Sequence, residues 1–168
     1  QASYFLGMNF HLYFHDTIFV FVVAYAFFLL YTYFNNTRSF VNLWKTILVL
    51  MLIFYAVCFF HVHYVMWLIP FLTLQVVDDK RFTKLFILQV LCLIVYAFQW
   101  KGNFAGWLFT PLDSSFFFSL RYPFEIINQY YPADKFIGIF RSIFSGISLW
   151  MAYLIFKELS LKSKRGEK

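Results

Sequence analysis

The chain has 168 residues, of which 62% are hydrophobic and 26% aromatic, while only 13% carry a charge. Soluble domains average about 45–50% apolar and about 25% charged residues, and a soluble fold of this size leaves about a third of its unfolded-chain surface in water. The composition therefore excludes an ordinary soluble domain and indicates a membrane protein. The formal charge of +6 needs no nucleic acid, because an anionic membrane surface accounts for basic loops.

Five apolar segments are long enough to be predicted as membrane spans, since a spanning helix needs about 17–25 mostly apolar residues. The stretch from Thr46 to Val77 has no Lys, Arg, Asp or Glu, but it is too long for one crossing, so we divide it at its histidines. We expect an all-α fold, a polytopic transmembrane helix bundle in which residues 1–168 form a single membrane-embedded unit. The predicted spans lie near 17–34, 45–60, 63–77, 82–100 and 136–156.

The basic residues orient these spans, because Lys and Arg accumulate in short cytoplasmic loops. The segment Asn35–Lys45, the loop DDKRFTK and the tail KELSLKSKRGEK are all basic and fall on one side of a five-span arrangement. We place them, and the C-terminus, in the cytoplasm. Residues 1–16, the turn FHVHY and residues 101–135 then lie outside or in a lumen. A first span that begins outside requires either a preceding span or translocation of a short uncharged tail. We favour the former and expect the chain to be the C-terminal part of a larger protein.

The outer loop 101–135 alternates polar and apolar residues without the length to cross. Thr110-Pro111 and Tyr122-Pro123 each predict a helix start, because proline is favoured at the first helical position. Asp113 and Glu125 then fall in the first turns, where a negative charge is stabilising. We expect two short interfacial helices, which either form a hydrophobic plug or a lid that contacts a lipid substrate.

All four histidines lie in the predicted outer segments. His61 and His63 mark the turn where the chain leaves and re-enters the lipid, and Pro70 is expected one to two turns into the returning helix. His11 and His15 share one face if their segment is helical. These rings act either as interfacial anchors or as ligands of a metal or haem, although HExxH and CxxC patterns are absent from the sequence. Asp16 is the one acidic residue of the first outer segment and a candidate for substrate contact.

Arg141 lies about two turns inside the last predicted span. Charges within a membrane usually face the protein interior or a polar cavity. Three interpretations remain: the guanidinium binds a phosphate, it pairs with a loop carboxylate, or it extends outward to the interface. The candidate carboxylates are Asp113, Glu125 and Asp134.

The polar turn followed by HYVMWLIPFLTL resembles a late membrane helix of the GT-C glycosyltransferase superfamily, in particular its polyprenyl- and dolichyl-phosphomannose-dependent mannosyltransferases. The matching residues are His63, Tyr64, Trp67, Leu68 and Pro70. The segment WLFTPLDSSFFFSLRYPFEII is similar to the loop that precedes the last helices of such enzymes, and RSIFSGISLW resembles their terminal span.

This resemblance implies a membrane enzyme that transfers a sugar such as mannose from a lipid-phosphate donor on the outer or lumenal face. In the family the catalytic acid lies in an early outer loop that this sequence does not match, so no catalytic residue is carried over. Positive charge or a divalent metal would stabilise the leaving phosphate. The available candidates for phosphate or lipid contact are Arg141, Arg121, His63 and His61, with Asp16 for substrate.

Two other functions stay open. The chain is alternatively a non-catalytic subunit or scaffold that binds lipid or other membrane subunits. That alternative predicts no ordered polar cavity on the outer face, whereas the enzyme predicts that Arg141, Arg121 and His63 converge around one. A transporter is the third possibility, although internal repeats and an acidic relay are absent from the sequence.

Overall fold

The computed structural model describes residues 8–11, 17–34, 39–100, 111–113, 115–117 and 121–165. These residues are mostly helical, with one short β-hairpin at the start. The strands are β1 (Asn9–His11) and β2 (Thr17–Phe19). The helices are α1 (Val20–Phe34), α2 (Phe40–Val57), α3 (Ile69–Asp78), α4 (Thr83–Ala97), α5 (Pro123–Asn128) and α6 (Ala133–Arg165). Single 3₁₀ segments occupy Val62–Trp67, Lys80–Phe82 and Phe98–Trp100.

By its internal contacts the chain divides into two compact units. The first comprises Gln1–Ile87 together with Ser145–Lys168, and the second comprises Leu88–Phe144. The division falls within α4 and within α6, so each of these helices contributes residues to both units. A single bundle over the whole chain stays a prediction.

The structure places His11 in a strand, whereas His15, the other histidine of the helical face that we considered, lies outside the described residues. His11 pairs with Thr17, and Asn9 pairs with Phe19, in an antiparallel register. Two backbone hydrogen bonds fix the hairpin to the helices: the Met8 N–H donates to the carbonyl of Val57 at 3.0 Å, and the Val20 N–H donates to the carbonyl of Met8 at 3.2 Å. The predicted first span consequently begins with a strand, and its helix has only 15 residues.

In the first unit α2 packs antiparallel against the second part of α6. Near one end the Ser145 hydroxyl donates to the carbonyl of Ala56 at 2.9 Å. Near the other end Lys45 on α2 meets Glu158 on α6. Each helix presents a buried stripe at spacings of three and four residues, as expected for a helix that faces a core. The stripes consist of Trp44, Lys45, Leu48, Val49, Leu52, Tyr55 and Ala56 on α2, and of Ile147, Ser148, Met151, Ala152, Ile155 and Leu159 on α6.

Lys45 is the main departure from the expected arrangement. It lies inside α2, not in a loop, and its side chain is 0% exposed. Its ammonium lies 2.6 Å from Asp78 Oδ2, at the end of α3, and 2.9 Å from Glu158 Oε1 on α6. A buried cation is stable only when it is paired and hydrogen-bonded. These three residues, the Lys45 triad, therefore hold one end of α2, α3 and α6 together.

Three helical segments are long and apolar enough to cross a membrane: Phe40–Val57, Lys80–Trp100 and Ala133–Leu161. The apolar helical segments Val20–Phe34 and Val62–Asp78 are shorter. The segment Val62–Asp78 consists of a 3₁₀ segment followed by α3, and Pro70 is the second residue of α3. The structure thus supports a membrane protein with three candidate spans among the described residues. Five crossings stay a prediction.

The second unit links α5 to α6 through a local cap. Pro123 opens α5 after Tyr122, with Glu125 in the first turn, as the sequence predicted. The side-chain oxygen of Asn128 then accepts a hydrogen bond from the N–H of Ala133, the first residue of α6, at 3.2 Å. Residues 111–113 and 115–117 are also helical.

We predict that Lys45→Ala lowers the free energy of unfolding by about 3 kcal/mol, because it leaves two carboxylates without their cation. The figure is at the low end of the range for buried pairs, since Asp78 and Glu158 are 46% and 31% exposed. Glu158→Gln should have a smaller effect, because Lys45 keeps Asp78. The measurement is thermal or denaturant unfolding of the protein in lipid nanodiscs.

Lys84→Ala is the matched control, since Lys84 is exposed on α4. Equal losses for Lys45→Ala and Lys84→Ala would contradict a stabilising role for the triad.

Candidate functional site

The histidine turn, residues 58–64, follows directly from the end of α2. Cys58 leaves the helix with an extended backbone, and the chain re-enters helical geometry at Val62. His61 and His63 are both exposed, and their ring centroids are 4.8 Å apart. His63 also contacts Tyr64, with the ring centroids 4.2 Å apart. The turn therefore presents two neighbouring imidazoles at the end of the helix opposite to Lys45.

Pro70 lies at the start of α3, not one to two turns into a helix. The preceding residues form the 3₁₀ segment, whose last hydrogen bond runs from the N–H of Leu68 to the carbonyl of Val65 at 2.9 Å. At this position proline forfeits no helical hydrogen bond. Pro70 therefore marks the change from 3₁₀ to α geometry.

An apolar groove of about 390 Å³ opens beside the histidine turn. Its walls come from α1, α2 and the 3₁₀ segment, and the lining is almost entirely aromatic or aliphatic. The lining residues are Phe21, Tyr25, Leu50, Met51, Phe54, Tyr55, Tyr64 and Trp67. A surface of this kind accepts a hydrocarbon chain and offers little to a polar ligand.

Three of the five residues that carry the glycosyltransferase resemblance lie in this groove or in the core, and the other two, His63 and Pro70, are exposed beside them. Tyr64 and Trp67 line the groove, with 45% and 70% of their surfaces exposed, whereas Leu68 is fully buried. The hydroxyl of Tyr55 donates a hydrogen bond to the backbone carbonyl of Tyr64, which fixes the groove wall to α2. The resemblance therefore maps onto the groove wall and its support.

Arg141 belongs to the second unit, and its surroundings there are aromatic. It lies eight residues after the start of α6, about 12 Å along the helix axis. Its guanidinium carbon is 5.6 Å from the ring centroid of Tyr96 and 5.6 Å from that of Phe144. Both distances suit cation–π attraction between the guanidinium and the two rings.

The other candidates on the outer loop are more exposed. Arg121 is exposed just before the N-cap residue of α5. Asp113 accepts hydrogen bonds from the N–H of Phe116 at 3.1 Å and from the hydroxyl of Ser115 at 2.7 Å. These bonds lower the pKa of the Asp113 carboxyl and engage it locally. Among the candidate carboxylates for Arg141, Asp113 therefore already has donors of its own.

Part of the predicted site lies outside the described residues, namely His15 and Asp16. His61 and His63 are brought together, while convergence of His63 with Arg121 and Arg141 stays a prediction. Over the described part of the chain, no three or more metal-ligating side chains gather in one place.

Sequence reasoning missed the Lys45 triad and the buried amide of Gln75, which lies one turn before Asp78 on α3 and is 0% exposed. A signal was present in the sequence. Lys45 follows an aromatic and aliphatic stretch that continues the helix, and acidic residues follow the third apolar segment and the last one. A lysine in such a helix needs a carboxylate partner.

The histidine pair makes a titration prediction. The pKa of His61 is lowered from 6.5, first by desolvation and second by the neighbouring His63. We expect His63→Asn to raise the pKa of His61 without returning it to 6.5, because desolvation remains. NMR titration of histidine-labelled protein measures this directly.

The lowered pKa also fixes the sign of the pH effect. The folded state binds the proton less readily than the unfolded state, so stability should fall as pH drops through 6.5 and level off below the folded-state pKa. His61→Asn should reduce this acid dependence. A His61 pKa above 6.5, or one unchanged in His63→Asn, would refute the assigned causes.

Comparison with known proteins leaves this geometry to be interpreted from its own residues. No family model, curated protein or solved structure matches the chain. The glycosyltransferase resemblance thus rests on the sequence motif alone.

Proposed function

We propose that the chain is the lipid-binding part of a membrane glycosyltransferase that uses a polyprenyl- or dolichyl-phosphate sugar, such as a mannosyl donor, on the outer or lumenal face. The apolar groove holds the isoprenoid chain of the donor. His61 and His63 lie near the phosphate as hydrogen-bond donors, and the sequence offers Arg141 and Arg121 as candidates for the positive charge that stabilises the leaving group. The base that activates the acceptor hydroxyl is not assigned to a residue of this chain.

One observation carries the proposal: the apolar groove and the histidine pair meet at the same turn. Tyr64 is common to both, since it lines the groove and its ring contacts His63. A polyprenyl phosphate has this same polarity, an apolar chain joined to a charged head. Groove and imidazoles together thus match the donor from its tail to its phosphate.

The sidedness of the site is part of the proposal. The Lys45 triad joins α2 near its start to the end of α3 and to α6 near Glu158, and these places border the three basic segments. The histidine turn follows Val57, about 18 Å along α2 from Lys45. With the basic segments in the cytoplasm, the histidine turn faces outward. Val20–Phe34 and Val62–Asp78 then serve as short spans in a five-crossing arrangement, in a locally thinned bilayer.

Trp67→Ala should reduce photo-crosslinking of a diazirine-labelled polyprenyl-phosphate mannose by about tenfold, because it removes a large apolar wall of the groove. Trp150→Ala is the matched control, since Trp150 is also an exposed tryptophan of an apolar helix but does not line the groove. The full-length protein is tested in its membrane. The groove would be contradicted as the donor site if Trp67→Ala and the parent protein were labelled equally. It would also be contradicted if Trp150→Ala reduced labelling as much as Trp67→Ala does.

Arg141→Ala should lower sugar transfer by about 100-fold or more while the protein remains inserted and folded, because the leaving phosphate loses a charged donor. The measurement is transfer of radiolabelled mannose from the lipid donor in membranes. Lys135→Ala on the same helix is the control, since Lys135 is exposed near the start of α6.

Unchanged transfer in Arg141→Ala would leave Arg141 as an interfacial anchor. Groove labelling by donor lipid without transfer activity of the full-length protein would favour the non-catalytic, lipid-binding subunit.

A further inference from the structure

A second groove, of about 310 Å³, lies between the beginning of α4 and the last turns of α6. It differs from the first groove in carrying charge as well as apolar surface. Arg81, Lys157 and Glu158 contribute charged groups, while Phe82, Leu85, Leu154 and Leu161 contribute apolar walls. All of these residues belong to the first unit. The volume is at the lower end of the roughly 300–1,000 Å³ of ligand pockets, which suits a headgroup with the first part of an acyl chain.

The depth of this groove places it at the membrane interface. One candidate span begins at Lys80 and another ends at Leu161. Arg81 and Lys157 therefore stand where two spans leave the hydrocarbon, and the leucines Leu85 and Leu154 lie further in. Headgroup phosphates occupy this level of the bilayer, and long basic side chains reach it readily.

The local ion pairs decide which charge the groove presents. Glu158 shares the ammonium of Lys45 with Asp78, so its negative charge is compensated in part, and the two basic side chains at the mouth outnumber it. Arg81 is held by Asp79 at 2.7 Å, yet its own side chain is 87% exposed and keeps donors available. Lys157 is exposed, and the described residues offer it no carboxylate within ion-pair distance. The mouth of the groove is therefore suited to an anion.

We propose that this groove binds one anionic phospholipid of the surrounding bilayer. The phosphate lies between Arg81 and Lys157, and an acyl chain follows the apolar walls toward Leu85 and Leu154. Basic pockets between membrane helices are known to select anionic headgroups in this way. The occupant is a lipid and not a free anion, because a soluble phosphate would leave the apolar walls exposed. The site is separate from the donor groove and independent of sugar transfer.

The test uses the full-length protein in phosphatidylcholine nanodiscs that contain a small fraction of phosphatidylglycerol with a diazirine in its acyl chain. Label should saturate and should map to residues 82–85 or 154–161. The double variant Arg81→Gln/Lys157→Gln should bind about 30-fold more weakly, since each basic residue near the surface contributes about fivefold. Lys80→Gln/Lys84→Gln is the control, because it removes two exposed charges from the same end without touching the groove lining.

The folding of each variant is checked by its melting temperature in phosphatidylcholine alone. If the Gln variant unfolds, Leu154→Trp takes its place, because it obstructs the groove and keeps both charges, and it should abolish saturable labelling. Equal losses in the groove variant and its control would overturn the proposal, as would labelling confined to other segments. Competition by millimolar inorganic phosphate would show a soluble-anion site and would overturn it as well.

Discussion

The burial of one ammonium group organises the first unit. Lys45 has no exposed side-chain surface and lies within ion-pair distance of Asp78 and Glu158. An ammonium removed from water is strongly destabilising without counter-charges, so α2, α3 and α6 are held with these three residues at one level. The triad therefore defines one end of α2, and the other features of the first unit can be placed relative to it. The second groove lies at the end of α2 that carries Lys45. The β-hairpin and the histidine turn lie at the other end of α2.

The helical, membrane-type character of the chain was predictable, because long uncharged apolar stretches leave few alternatives in water. The start of α5 was also predictable, since Pro123 and Glu125 act locally. Boundaries that depend on tertiary contacts were not. His11 pairs with Thr17 across a loop, and Lys45 is stabilised by residues far along the chain. Neither partner can be identified from the residues around it, and so a strand was missed and a buried cation was assigned to a loop.

The candidate site shows the same division. The proximity of His61 and His63 follows from their spacing, and the sequence pointed to both. The groove beside them did not follow, because Phe21 and Trp67 come from distant segments and meet only in the folded chain. The two grooves also differ in character. One is almost wholly apolar and ends at imidazoles, while the other is bordered by a guanidinium and an ammonium. The proposals assign a long isoprenoid to the first and an ordinary phospholipid to the second, which would give the first unit a lipid site at each of its ends.

The length of α6 has a mechanical consequence. Its 33 residues extend about 50 Å, whereas the hydrocarbon core of a bilayer is about 30 Å thick. Even at a tilt of about 40° the rod exceeds that thickness by about 8 Å, and an upright rod exceeds it by about 20 Å. If α6 crosses the bilayer, part of the helix must extend beyond the hydrocarbon core. The length of the projecting part must then change with bilayer thickness. A thicker membrane would cover more of α6, and a thinner one would expose more of it. The exposed length of α6 would therefore depend on the membrane of the compartment in which the chain resides.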